Sequence, residues 1–210
     1  MELTFGDISR YILIVTAIVA TITYPKYKQT PLKYLLFYIW YAVLLEIVAR
    51  WLVLEGYYNA WWYNVGINIE ILFYLFLYYQ YVSGNKLRRL ILIGGALYEG
   101  YFLVNYLFLS DSWNEYQFFP FSTGGVLLIV VVFLFLLEMF QSDKVLYTEK
   151  YLIFWISLGL LFYNIIPLPL FVARAFISGY SLMGIQFLGN ILMYFSFIYG
   201  FIWSSMKYKS

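Results

Sequence analysis

The chain has 210 residues, of which 64% are hydrophobic, 24% aromatic and only 11% charged, where soluble domains average about half apolar and a quarter charged. With neither cysteine nor histidine, it has no disulfide, no thiol nucleophile, and no thiolate or imidazole to bind a metal or act as a base. The formal net charge of +2 identifies no partner class; where the basic residues fall is more informative.

These proportions predict an all-α integral membrane protein, a single seven-helix transmembrane domain over residues 1–210. A helix needs about 20 mostly apolar residues to cross a hydrocarbon core of about 30 Å, and helices satisfy their own backbone hydrogen bonds there. Seven stretches qualify, at 8–24, 32–54, 65–82, 90–109, 121–140, 151–172 and 182–203. The first is preceded by Glu2 and Asp7 and lacks a basic flank and a small-residue cleavage pattern, so it is expected to stay as a helix and not to be a cleaved signal.

The gaps between these stretches alternate in charge. Lys26, Lys28, Lys33, Lys86, Arg88, Arg89, Lys144, Lys150, Lys207 and Lys209 share one side, whereas the other holds Arg10 and Arg174 among Glu2, Asp7, Glu55, Asp111 and Glu115. The positive-inside rule then predicts an N-terminus outside and a C-terminus in the cytoplasm of a cell membrane, the inner membrane if the source is bacterial. The aromatic connections 56–64 (Tyr57, Tyr58, Trp61, Trp62, Tyr63) and 111–119 (Trp113, Tyr116, Phe118, Phe119) are expected in the headgroup layer or over a vestibule. Pro167 and Pro169 predict a kink or unwound segment towards the outer end of the sixth helix.

Polar side chains inside the spans are the functional candidates, because an intramembrane charge costs about 2.5–3.5 kcal/mol even on the lenient insertion scale. Glu46, Arg50, Glu70 and Glu99 fall within helices 2, 3 and 4, and Glu138 lies close enough to an end to be expected at cytoplasmic water. Asn68, Asn105, Asn164 and Asn190 add amides, and Tyr163 belongs to a large set of tyrosines inside spans that includes Tyr38, Tyr41, Tyr74 and Tyr194. Counting depth along each helix gathers these groups from the midplane towards the outer face, the layout of an outward-opening cavity. Glu46 and Arg50, four apart, are expected to pair on one face of helix 2. Arg50 alone then faces three carboxylates, and a neutral acid or a bound ligand would settle the balance. The expected ligand-binding set is Glu46, Arg50, Asn68, Glu70, Glu99, Tyr163, Asn164 and Asn190. A ligand-free hydrogen-bond network joining the helices stays open as the other reading.

Two internal echoes point to duplication. Ile69-Glu70-Ile71-Leu72-Phe73-Tyr74 is matched by Gly189-Asn190-Ile191-Leu192-Met193-Tyr194, 120 residues later, and Lys33-Tyr34-Leu35-Leu36-Phe37-Tyr38-Ile39 by Lys150-Tyr151-Leu152-Ile153-Phe154-Trp155-Ile156, 117 later. The order of three helices, a connecting fourth and three more, with the N-terminus out, resembles the PQ-loop and SWEET-type facilitators, which are parallel three-helix repeats. That resemblance implies a substrate-facing asparagine in each of helices 3 and 7. Asn190 matches the second, and Asn68, or Glu70 at the 120-residue offset, the first. No Pro-Gln pair is present.

The last helix has no lysine for a retinal Schiff base, the spans hold no paired aspartates, and no Gly-rich phosphate loop occurs. No enzyme, cofactor or nucleic-acid partner is expected. The reading is a carrier for a small polar or cationic solute in the bilayer, the alternatives being a receptor-like sensor with a separate cytoplasmic partner and a structural subunit of a membrane complex.

Overall fold

The structure, a computed structural model, describes residues 4–109, 115–168 and 179–205. Among them are seven α-helices: α1 Phe5–Tyr27, α2 Lys33–Leu54, α3 Ala60–Tyr81, α4 Asn85–Val104, α5 Phe118–Phe140, α6 Leu152–Ile165 and α7 Gly179–Trp203. A π-helical turn, Asn105–Leu109, extends α4, a 3-10 segment, Asp143–Lys150, precedes α6, and no strand occurs among the described residues. Trp113, Pro169, Arg174, Lys207 and Lys209 lie outside them.

Among the described residues, five helices are long and apolar enough to cross a membrane: Phe5–Tyr27, Lys33–Leu54, Asn85–Leu109, Phe118–Phe140 and Gly184–Trp203. The chain is therefore compatible with a multi-pass membrane protein. The other two expected spans differ for separate reasons. Although α3 has 22 residues, it carries Asn64, Asn68, Glu70 and five tyrosines, which lower its hydropathy, and its buried face is unusually polar. α6 is apolar but only 14 residues long. Pro167 has no N–H for the Tyr163 carbonyl, so the last helical bond of α6 runs from Ile166 N to Phe162 O at 3.2 Å, and a turn follows. The expected break is thus a helix end.

Local chemistry sets several other ends. Thr4 and Asp7 form a capping box at the start of α1, each side chain bonding the other's backbone N–H. Glu138 accepts from Ser83 N at 2.8 Å, which places its carboxylate beside the N-terminus of α4, where the helix dipole favours an anion. The two aromatic connections are partly helical: Trp61, Trp62 and Tyr63 lie in the first turn of α3, and Phe118 and Phe119 begin α5.

Packing runs in a closed circuit, α1–α2–α3–α5–α6–α7 and back to α1, while α4 packs outside it on α3 and α5. Small residues permit the closest approaches: a Cβ at Gly124 of α5 would lie 2.2 Å from Ile71 Cδ1 and 2.8 Å from Tyr98 Cε2. In the half of the bundle away from the N-terminus, Tyr78, Tyr81, Phe135, Ile153 and Phe201 are almost fully buried. There Ser157 Oγ donates to Ile153 O, leaving the Tyr78 hydroxyl to donate to Ser157 Oγ at 2.7 Å.

Candidate functional site

The other half of the bundle encloses a cavity of about 570 Å³, within the usual range for small-molecule sites. Every helix of the circuit contributes: Leu13 and Thr16 from α1, Tyr38, Tyr41, Ala42 and Glu46 from α2, Tyr63, Gly66, Ile67, Glu70 and Tyr74 from α3. Phe118 and Phe121 from α5, Tyr163 from α6, Gln186, Asn190, Met193, Tyr194 and Phe197 from α7, and Tyr116 from the segment before α5 also line it.

Of the residues expected from sequence, the structure brings Glu46, Glu70, Tyr163 and Asn190 to this one cavity. The other four fall elsewhere. Arg50 is exposed on α2 and makes no ion pair among the described residues; so near a helix end, a side chain of this length can keep its charge in water. Asn68 donates to Glu99 Oε2 at 3.1 Å, an α3–α4 link outside the circuit's interior. Asn164 donates to Leu160 O at 2.8 Å, and its Oδ1 is turned to α5, 3.0 Å from where a Cβ on Gly125 would stand.

The cation that approaches Glu46 is Arg10 of α1, with Nε 3.4 Å from Oε2, while Arg10 Nη1 holds Asp7 Oδ1 at 2.6 Å. Tyr63 also donates to Glu46 Oε2, at 3.1 Å. Arg10 was legible only as an outer-end charge, because nothing in the spacing of residues 10 and 46 tells that two helices face each other there.

Glu70 is different. It lines the cavity together with Tyr38, Tyr74, Tyr163 and Tyr194. No Lys or Arg pairs with it among the described residues. The rings around it are themselves fixed: Tyr38 stacks on Phe73 with centroids 4.5 Å apart and meets Tyr74 edge-on at 5.1 Å. Chemically this is an acid with no basic partner among the described residues, in a cavity lined by aromatic rings and tyrosine hydroxyls, which suits a cation that is also apolar.

One roof of the cavity hangs on Asn64. Its Nδ2 donates to Glu115 O at 2.8 Å and its Oδ1 accepts from Gln117 N at 3.0 Å, which holds Tyr116 between them, stacked on Tyr63 with centroids 5.8 Å apart. Asn64→Ala leaves a buried N–H and a carbonyl without these partners, so a loss of about 2 kcal/mol is expected. Thermal unfolding in detergent would check it, and a shift no larger than that of an exposed control such as Asn85→Ala would contradict it.

The fold and site define a class: an all-helical protein with the make-up of a multi-pass membrane protein and an acidic, tyrosine-walled cavity in one half of its bundle. No family model, curated protein or solved structure matches the chain.

Proposed function

We propose that this chain is a membrane carrier for a small polar or cationic organic solute, bound in the cavity of α1–α3 and α5–α7. The observation that carries the reading is Glu70, an acid with no basic partner among the described residues, facing an open, aromatic-walled space. In this reading α3 and α6 also span the membrane, giving seven spans, and the basic ends mark the cytoplasmic side, so the cavity opens outward. The circuit of helices supports two equivalent triplets, α1–α3 and α5–α7, meeting at α3–α5 and α7–α1. Transport would proceed by rocking of one triplet against the other around the shared site.

Reconstitution into proteoliposomes tests this with radiolabelled organic cations and neutral polar solutes, choline first. Saturable uptake is expected, and Glu70→Gln should lower its initial rate roughly tenfold, the effect of losing about 1.4 kcal/mol of interaction. Uptake by Glu70→Gln equal to that of the unaltered chain would remove the carboxylate from the mechanism.

A second reading, a ligand sensor, is favoured by the buried aromatic side chains Tyr78, Phe135 and Phe201 in the half of the bundle beyond the cavity. Such a protein would pass a helix shift to a separate partner. Saturable binding with no flux in the same vesicles would select it.

A further inference from the structure

Six cavity-lining residues fall into three pairs, each 120 residues apart: Gly66 with Gln186, Glu70 with Asn190, and Tyr74 with Tyr194. Within α3 and within α7 the three are spaced four apart, which sets them on one helical face. The neighbour relations match as well. Exchanging α1, α2 and α3 for α5, α6 and α7 carries the α1–α2, α2–α3 and α3–α5 contacts onto α5–α6, α6–α7 and α7–α1. Positions 70 and 190 therefore face the cavity from equivalent places, one bearing a carboxylate and the other its uncharged amide counterpart.

The charge inventory gives that difference a chemical meaning. Among the described residues, the cavity lining contains no Lys or Arg. Its other carboxylate, Glu46, already has the Arg10 guanidinium at 3.4 Å and the Tyr63 hydroxyl at 3.1 Å. That leaves Glu70 as the acid with no basic partner among the described residues, in a cavity whose aromatic rings favour a cation over an anion and an alkylated ammonium over a strongly hydrated metal ion. Gln186 and Asn190, bonded weakly to each other at 3.5 Å, offer neutral polar contacts on the far wall.

We propose that the ligand is a singly charged organic ammonium ion, and that positions 70 and 190 set its charge: one acid at either place accepts one cation. The inference rests on the cavity being a binding site and goes further by assigning the ligand's class and the residues that select it.

The test is calorimetric binding by the full chain in detergent, with choline as probe and, beside it, the neutral analogue in which a quaternary carbon replaces the nitrogen. The unaltered protein should bind choline at least tenfold more tightly than the analogue. Glu70→Asn should weaken choline about tenfold and leave the analogue unchanged, which also shows that the cavity is intact. The exchange Glu70→Asn with Asn190→Glu should bring choline back to within about threefold of the unaltered protein, a rescue that a merely structural role for Glu70 would not produce. Equal binding of choline and the analogue by the unaltered protein, or a double variant that binds the analogue but no more choline than Glu70→Asn, overturns the assignment while the cavity stands as a binding site. Binding of neither compound overturns the site reading itself.

Discussion

Gly159→Leu is expected to prevent stable folding, because α6 and α7 touch there through backbone. A Cβ at position 159 would lie 2.7 Å and 2.9 Å from two ring carbons of Phe197 and 3.0 Å from the Met193 carbonyl oxygen. Phe197 is itself buried, and a carbonyl in mid-helix cannot swing aside, so relief requires the two helices to separate. Overpacking of this kind costs about 1–3 kcal/mol for small additions, and more where backbone must move. Against a typical total of about 5–15 kcal/mol, a leucine here removes a large share. Expression followed by size-exclusion chromatography and thermal unfolding in detergent would read the effect, with Gly159→Ala intermediate. Gly100, whose Cβ would meet nothing within 4 Å, supplies the contrast: Gly100→Ala should be neutral or gain up to about 1 kcal/mol from helix propensity. A Gly159→Leu protein as stable as Gly100→Ala would refute the described α6–α7 contact.

Ala42→Trp is expected to reduce ligand uptake and binding to background while leaving the protein folded. Ala42 lines the cavity from α2, close in sequence to Tyr38, Tyr41 and Glu46, which line it too. An indole projecting from it would occupy the space a guest needs, gaining dispersion contacts with walls that now face a void. Loss of function should therefore come with an unchanged or raised unfolding temperature, the reverse of Gly159→Leu. Undiminished saturable uptake by a well-folded Ala42→Trp protein would mean that the solute does not use this cavity.

Both results bear on how the cavity is built. Its polar groups were visible as isolated intramembrane residues, yet only half of the expected set converges. Glu46 and Arg50 show why. An i, i+4 spacing permits a pair, but a longer reach to the surface was open to Arg50, and Arg10 on another helix came within 3.4 Å of Glu46 instead. Asn68 and Glu70 are two residues apart on α3, and that separation turns one towards α4 and the other into the cavity. At the 120-residue offset the agreement is closer: Glu70 and Asn190 both reach the cavity, and so do Tyr74 and Tyr194.

From the sequence alone one could read the helical make-up, the approximate position of the seven described helices and a break in the sixth near Pro167. Each of these depends on local composition or on the backbone chemistry of a few neighbouring residues. Tertiary structure decided how far each helix is rotated about its own axis, and hence which acids and amides meet. Helices that are apolar nearly all round carry little amphipathic signal to set that rotation. It is set by close contacts such as Gly124 on Ile71 and Gly159 on Phe197, which depend on residues far apart in the chain.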